Sequence, residues 1–215
     1  MYNACLFDLD GTLLNTLEDL ALSVAFALKR QGMPPRSEDE IRSFVGNGVE
    51  RLVRLSVPPH TPQAVFERCF ADFKAYYAAH SRDKTAPYPG ITELLGELKR
   101  GGIKIGVVSN KYQQAVSELC AAFFPGLTDC AVGERRGVAR KPAPDCVFEA
   151  VRIMGCDIEK TLYIGDSEVD IQTAGNAGVK CAAVLWGFRD EKTLISAGAD
   201  YTAARAEDII RLVKG

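Results

Sequence analysis

Apolar and polar positions along the chain fall into two patterns. Short continuous apolar runs recur at Asn3–Asp8, Ile103–Asn110, Asp129–Val132, Thr161–Asp166 and Val179–Trp186. Continuous rather than alternating runs predict strands covered on both faces. Between them, helical spacing predicts Ile91–Arg100, Gln113–Phe123, Pro144–Met154, Asp170–Ala177 and Glu191–Ala197, with Gly101-Gly102, Gly155 and Gly178 at the joints. Such alternation predicts an α/β fold with a doubly wound parallel sheet.

Residues 16–84 break the alternation and read helix after helix: Thr16–Gln31, a capping box from Ser37 to Glu40, Val49–Leu55 and Pro62–His80. Proline-rich stretches, GMPPRS and SVPPHT, separate them. The expected organisation is a core domain of residues 1–15 and 85–215, with an all-helical domain of residues 16–84 inserted after the first strand.

Composition narrows the partners. A formal net charge of −2 offers no basic footprint for nucleic acid. No apolar run approaches the ~20 residues of a membrane span, and the first residues show no secretory pattern, so a cytoplasmic protein is expected. Seven cysteines without a C-x-x-C, and only His60 and His80 beside them, read as free thiols rather than a zinc site. Monomer and homodimer fit equally.

Chemistry concentrates at strand ends, where open α/β sheets place ligands. The first strand ends in Asp8-x-Asp10-Gly11-Thr12, the second in Ser109-Asn110, and the fourth in Gly165-Asp166, with Asp170 four residues on; Lys141 precedes a helix. Asp8 and Asp10, two positions apart on a strand, share one face, where two like charges need compensation. Singly, each cluster reads as well as a turn, a helix cap or a solvated lysine. Together they form a shared charged site.

These four motifs, in this order, resemble the haloacid dehalogenase superfamily, and the helical insert resembles that family's cap. The resemblance implies a magnesium-dependent phosphatase acting on a small phosphorylated metabolite through an aspartyl-phosphate. Asp8 would be the nucleophile, Asp10 the acid and base, and Lys141 the counter-charge that holds Asp8. Asp8, Asp166 and the backbone carbonyl of Asp10 would hold Mg²⁺. Ser109 and the amides of Gly11 and Asn110 would bind the transferring oxygens. Thr12 would hydrogen-bond Asp10 or orient the loop, and Asp170 would support Lys141 or a metal-bound water.

Asp10 favours phosphoryl transfer over dehalogenation, because a halide needs no proton. Gly46-Asn47-Gly48 resembles the cap loop of phosphoglycolate phosphatases, as does VVSNK at 107–111, making 2-phosphoglycolate the first substrate to expect. The loop fits a substrate-binding role or a plain helix break. A β-phosphoglucomutase-like mutase, a pyrophosphatase or a nucleotidase would share the core; a receiver module would lack both insert and first motif. Arg51, Arg135, Arg136 and Arg140 are open between substrate contact and solvated surface. One departure stands out: Asn15-Thr16 replaces the acid followed by Ser or Thr of many relatives.

Overall fold

The computed structural model describes residues 1–215. In chain order the elements are β1 (Ala4–Phe7), β2 (Leu14–Asn15), α1 (Leu17–Arg30), α2 (Glu38–Phe44), α3 (Val49–Ser56), α4 (Gln63–His80), β3 (Ala86–Pro87) and α5 (Ile91–Arg100). There follow β4 (Lys104–Tyr112), α6 (Gln113–Phe123), β5 (Cys130–Glu134), α7 (Asp145–Met154), β6 (Thr161–Gly165) and α8 (Glu168–Ala177). The chain closes with β7 (Lys180–Val184), α9 (Glu191–Ser196), β8 (Tyr201–Ala203) and α10 (Ala206–Lys214). It divides into two compact units, Met1–Leu14 with Pro87–Gly215, and Asn15–Ala86.

The first unit is built on a six-stranded sheet in the order β5-β4-β1-β6-β7-β8, every pairing parallel. All four residues of β1 are buried, and their period-two alternation feeds two cores. Cys5 and Phe7 pack with Leu94 and Leu98 of α5, Leu119 of α6 and Ile209 of α10. Ala4 and Leu6 pack with Val147 and Ala150 of α7, Ala174 of α8 and Leu194 of α9. With helices on both faces, the strands have to be apolar throughout. The expected α/β class is therefore what the chain adopts.

Two C-terminal elements were not expected. β8 is three residues, two of them exposed, so no apolar run marks it. α10 is a nine-residue helix that buries Ala206, Ile209 and Val213, too short to stand out by periodicity. The cysteines are all free, five of them buried.

The second unit is four helices. Ser37 and Glu40 form the expected capping box: the Ser37 hydroxyl accepts from the Glu40 amide at 3.2 Å, and Glu40 accepts from the Ser37 amide at 2.8 Å. Phe26 of α1 stacks on Tyr76 of α4, ring centroids 4.3 Å apart. Asn15 accepts from the Leu17 amide at 3.3 Å and so serves the first turn of α1. The buried Asp19 carboxylate ties α1 to the end of the unit. It accepts from the Lys84 amide at 3.0 Å, the Thr85 amide at 2.8 Å and the Thr85 hydroxyl at 2.7 Å. Removing it orphans three donors to one carboxylate, among them the buried Thr85 hydroxyl. Asp19→Ala should therefore cost about 3 kcal/mol, read as a lower urea midpoint with helix content intact in native buffer.

Candidate active site

Strand order brings the motifs together. β4, β1 and β6 are adjacent and parallel, so their carboxyl ends share one edge of the sheet. The Asp8 amide still donates to Ile164 of β6 at 2.9 Å, which fixes where the first motif leaves the sheet. Asp8, Ser109, Asn110, Lys141, Asp166 and Asp170 are all buried.

Lys141 is the hub. Its Nζ lies 2.9 Å from Asp8 Oδ1 and 2.7 Å from Asp170 Oδ1, and it also meets the Tyr163 hydroxyl at 3.1 Å and the Val108 carbonyl at 3.3 Å. Burial alone would strip its proton, but Asp170 and Asp8 outweigh burial and hold the ammonium charged. Asn110 fixes the backbone behind it: its side-chain carbonyl accepts from the Lys141 amide at 2.8 Å and its NH₂ donates to the Lys141 carbonyl at 3.1 Å. The Asn110 side chain thus positions Lys141.

Asp170 supports Lys141, one of the two roles expected of it. Oδ1 accepts from Lys141 and from Tyr163 at 2.9 Å; Oδ2 accepts from the Ser167 hydroxyl at 2.6 Å and the Ser167 amide at 3.1 Å. Four donors fill its acceptor sites. Gly165 leaves the room, since a Cβ there would fall 2.4 Å from Asp170.

Asp166 is held differently. The Phe188 amide donates to Oδ2 at 2.8 Å and the Thr12 hydroxyl to Oδ1 at 3.2 Å. Thr12 therefore bonds Asp166, not Asp10 as one expectation had it, because the loop turns at Gly11 (φ 84°) and carries it to β6. A Cβ on Gly11 would lie 2.3 Å from Asp166, and one on Gly187 2.2 Å away. Both glycines are needed for this close approach.

Asp8, Asp166 and Asp170 each offer an oxygen within 4.8 Å of the others, a group able to hold a metal ion. Because Asp170 is saturated, Asp8 and Asp166 are the carboxylates available. The Asp10 side chain is elsewhere: its Oδ2 lies 2.9 Å from Lys111 Nζ, with the two side chains 15% and 2% exposed. In the sequence Lys111 stands out only as the last residue of VVSNK, with no role attached to it. Four carboxylates and two ammonium groups leave the cluster two positive charges short. Burial and repulsion from Asp170 push Asp8 up to about 7 against the pull of Lys141, and burial, Asp170 and Asp8 raise Asp166 well above the ordinary range. A buried all-oxygen donor set short of two charges fits a hard divalent cation.

Gly46-Asn47-Gly48 links α2 to α3, with both glycines at positive φ (122° and 82°), so the helix break is real. Arg51 is exposed on α3. Arg135 pairs with Glu149 and Gln113, and Arg140 with Glu134; Arg136 is exposed.

A family model described as haloacid dehalogenase-like hydrolase matches residues 5–184. The chain belongs to the haloacid dehalogenase-like hydrolases. Among relatives of this family, the phosphoglycolate phosphatase of Aquifex aeolicus is 32% identical over 209 residues, covering 97% of this chain and 95% of its own. A crystal structure from Lactobacillus delbrueckii subsp. bulgaricus, provisionally named phosphoglycolate phosphatase, superposes with a TM-score of 0.93 at 38% identity, covering 99% and 98% of the two chains. CbbY from Rhodobacter sphaeroides, in complex with phosphate, gives 0.73 at 27% identity, covering 97% and 96%. No helix of this hydrolase is long and apolar enough to cross a membrane.

The raised Asp8 carboxyl has a consequence for stability. Between about pH 4 and pH 7 the folded chain keeps a proton there that the unfolded chain releases, so Asp8 costs stability as pH rises. In metal-free buffer, the unfolding free energy of wild type minus that of Asp8→Asn should fall across this window, by on the order of 4 kcal/mol, and level off above it. A gap that grows with pH contradicts this.

Proposed function

We propose that this hydrolase is a Mg²⁺-dependent phosphatase that cleaves a small phosphate monoester, with 2-phosphoglycolate as first substrate, through a phosphorylated Asp8. One observation carries the reading: Asp8 sits against a buried, charged Lys141 with Asp166 beside it, while Asp10, two residues on, is held separately by Lys111. That is a nucleophile and an acid–base group from one strand end, with distinct partners. The phosphoglycolate phosphatase relatives support the substrate.

Asp8 attacks phosphorus in line and the ester bond breaks, leaving an aspartyl-phosphate on Asp8. Asp10 gives its proton to the departing alkoxide, then takes one from the water that attacks the acyl phosphate, regenerating Asp8 and releasing phosphate. Lys141, the Ser109 hydroxyl and the Asn110 amide donate to the transferring oxygens, where charge grows; the Gly11 amide, expected to join them, instead donates to the Leu14 carbonyl at 2.9 Å and closes the loop. Asp8, Asp166 and the Asp10 carbonyl would hold the metal. Bound there, a divalent cation neutralises the facing carboxylates and polarises the phosphoryl group. Residues 16–84 would serve as the cap domain, and Gly46-Asn47-Gly48 as its substrate-binding residues. The enzyme acts in the cytoplasm.

The test is a screen of phosphate release over 2-phosphoglycolate, hexose 1-phosphates, nucleotides and pyrophosphate. We expect 2-phosphoglycolate to lead, with no need for a sugar bisphosphate activator. EDTA should abolish turnover and Mg²⁺ restore it, and Asp8→Asn should lose at least about 10³-fold while staying folded. Conversion of one sugar phosphate to another without phosphate release would indicate a mutase instead.

A further inference from the structure

Only two of the chain's lysines and arginines are buried, Lys111 and Lys141. Lys141 serves Asp8 and Asp170. The second has no role in the chemistry so far beyond its contact with Asp10. Keeping an ammonium inside a protein is expensive, and it is sustained by partners that return the lost hydration. The basic side chains Arg135 and Arg140 spend their charge on Glu149 and Glu134, and Arg189 pairs with Glu168. Lys111 alone pairs with the carboxylate that handles the leaving group's proton.

The Asp10 carboxylate is divided between two tasks. Oδ2 faces Lys111 at 2.9 Å, whereas Oδ1 is buried and has no hydrogen-bond partner. A buried carboxylate oxygen without a partner is costly, and in the proposed reaction Oδ1 gains one: it hands the proton to the leaving oxygen, then accepts from the water that replaces it. The leaving oxygen then lies one carboxylate's width from the Lys111 ammonium. An alcohol or sugar leaving group makes no use of that charge. A leaving group with an anion one carbon from the ester oxygen does.

Resting on the phosphatase reading above, we propose that Lys111 is the specificity-determining residue of this site. Its ammonium selects phosphate monoesters whose leaving group carries a carboxylate group on the ester-bearing carbon itself, as in 2-phosphoglycolate. Lys141 serves the phosphoryl half of the substrate and Lys111 the leaving-group half. A point charge suits this position, because it can face Asp10 and the substrate carboxylate together without the fixed fork of arginine.

The experiment compares 2-phosphoglycolate with ethylene glycol monophosphate, which has a hydroxymethyl group in place of the carboxylate, on wild type, Lys111→Gln and Lys111→Arg. Wild type should prefer 2-phosphoglycolate in kcat/KM. Lys111→Gln should lower that preference by about ten- to a hundredfold, the span of a lost hydrogen bond between charged groups, chiefly through KM for 2-phosphoglycolate. Lys111→Arg should recover part of it. If Lys111 only positions Asp10, both substrates fall in step and the preference survives, which overturns the proposal and leaves the phosphatase reading standing. No preference in wild type overturns this proposal and the substrate assignment together. A measurement on wild type covers a variant that fails to fold. Glycolate should inhibit p-nitrophenyl phosphate hydrolysis at concentrations at least about tenfold below those of ethylene glycol, and equal inhibition counts against Lys111 as selector.

Discussion

The interaction on which the rest of the site depends is the Lys141 ammonium, sealed between Asp8 and Asp170. Three buried carboxylates within one cluster would repel one another and take up protons. The ammonium offsets that tendency at Asp8, and Asp170, saturated by four donors, keeps the ammonium in place. A division of labour follows. Asp170 is spent on structure, and Asp8 and Asp166 remain for chemistry.

The fold supplies this arrangement through adjacency. Parallel neighbours β4, β1 and β6 end at one edge, so residues far apart in sequence meet without any long loop having to reach. Close approach sets the second constraint. Gly11, Gly165 and Gly187 each stand where a Cβ would strike Asp166 or Asp170. The carboxylates are fitted against backbone, which restricts them to few orientations and favours preorganisation.

Much of this is legible in the sequence. The continuous apolar runs marked the central strands because burial on both faces demands them, and helices such as Ile91–Arg100 and Gln113–Phe123 fell at the expected limits. The clustering of Asp8, Lys141, Asp166 and Asp170 followed from strand ends. What escaped the sequence depends on partners that spacing does not encode. Thr12 could reach either carboxylate, and the turn at Gly11 decides for Asp166. Gly187 matters only because β7 lies beside β6, so nothing local marks it. Lys111 offered one signal, as the last residue of VVSNK at 107–111; spacing alone does not place its side chain, because the strand register shifts between Val108 and Tyr112. β8 and α10 are short elements defined by what they pack against.

The most direct test is chemical trapping of the phosphorylated aspartate. The enzyme is quenched during turnover of 2-phosphoglycolate with Mg²⁺, reduced with borohydride and digested, and the peptide spanning residues 4–16 is sequenced by mass spectrometry. Reduction of an acyl phosphate converts the aspartate to homoserine. The account predicts homoserine at Asp8 and an unchanged Asp10. Homoserine at Asp10, or turnover with neither residue altered, contradicts it.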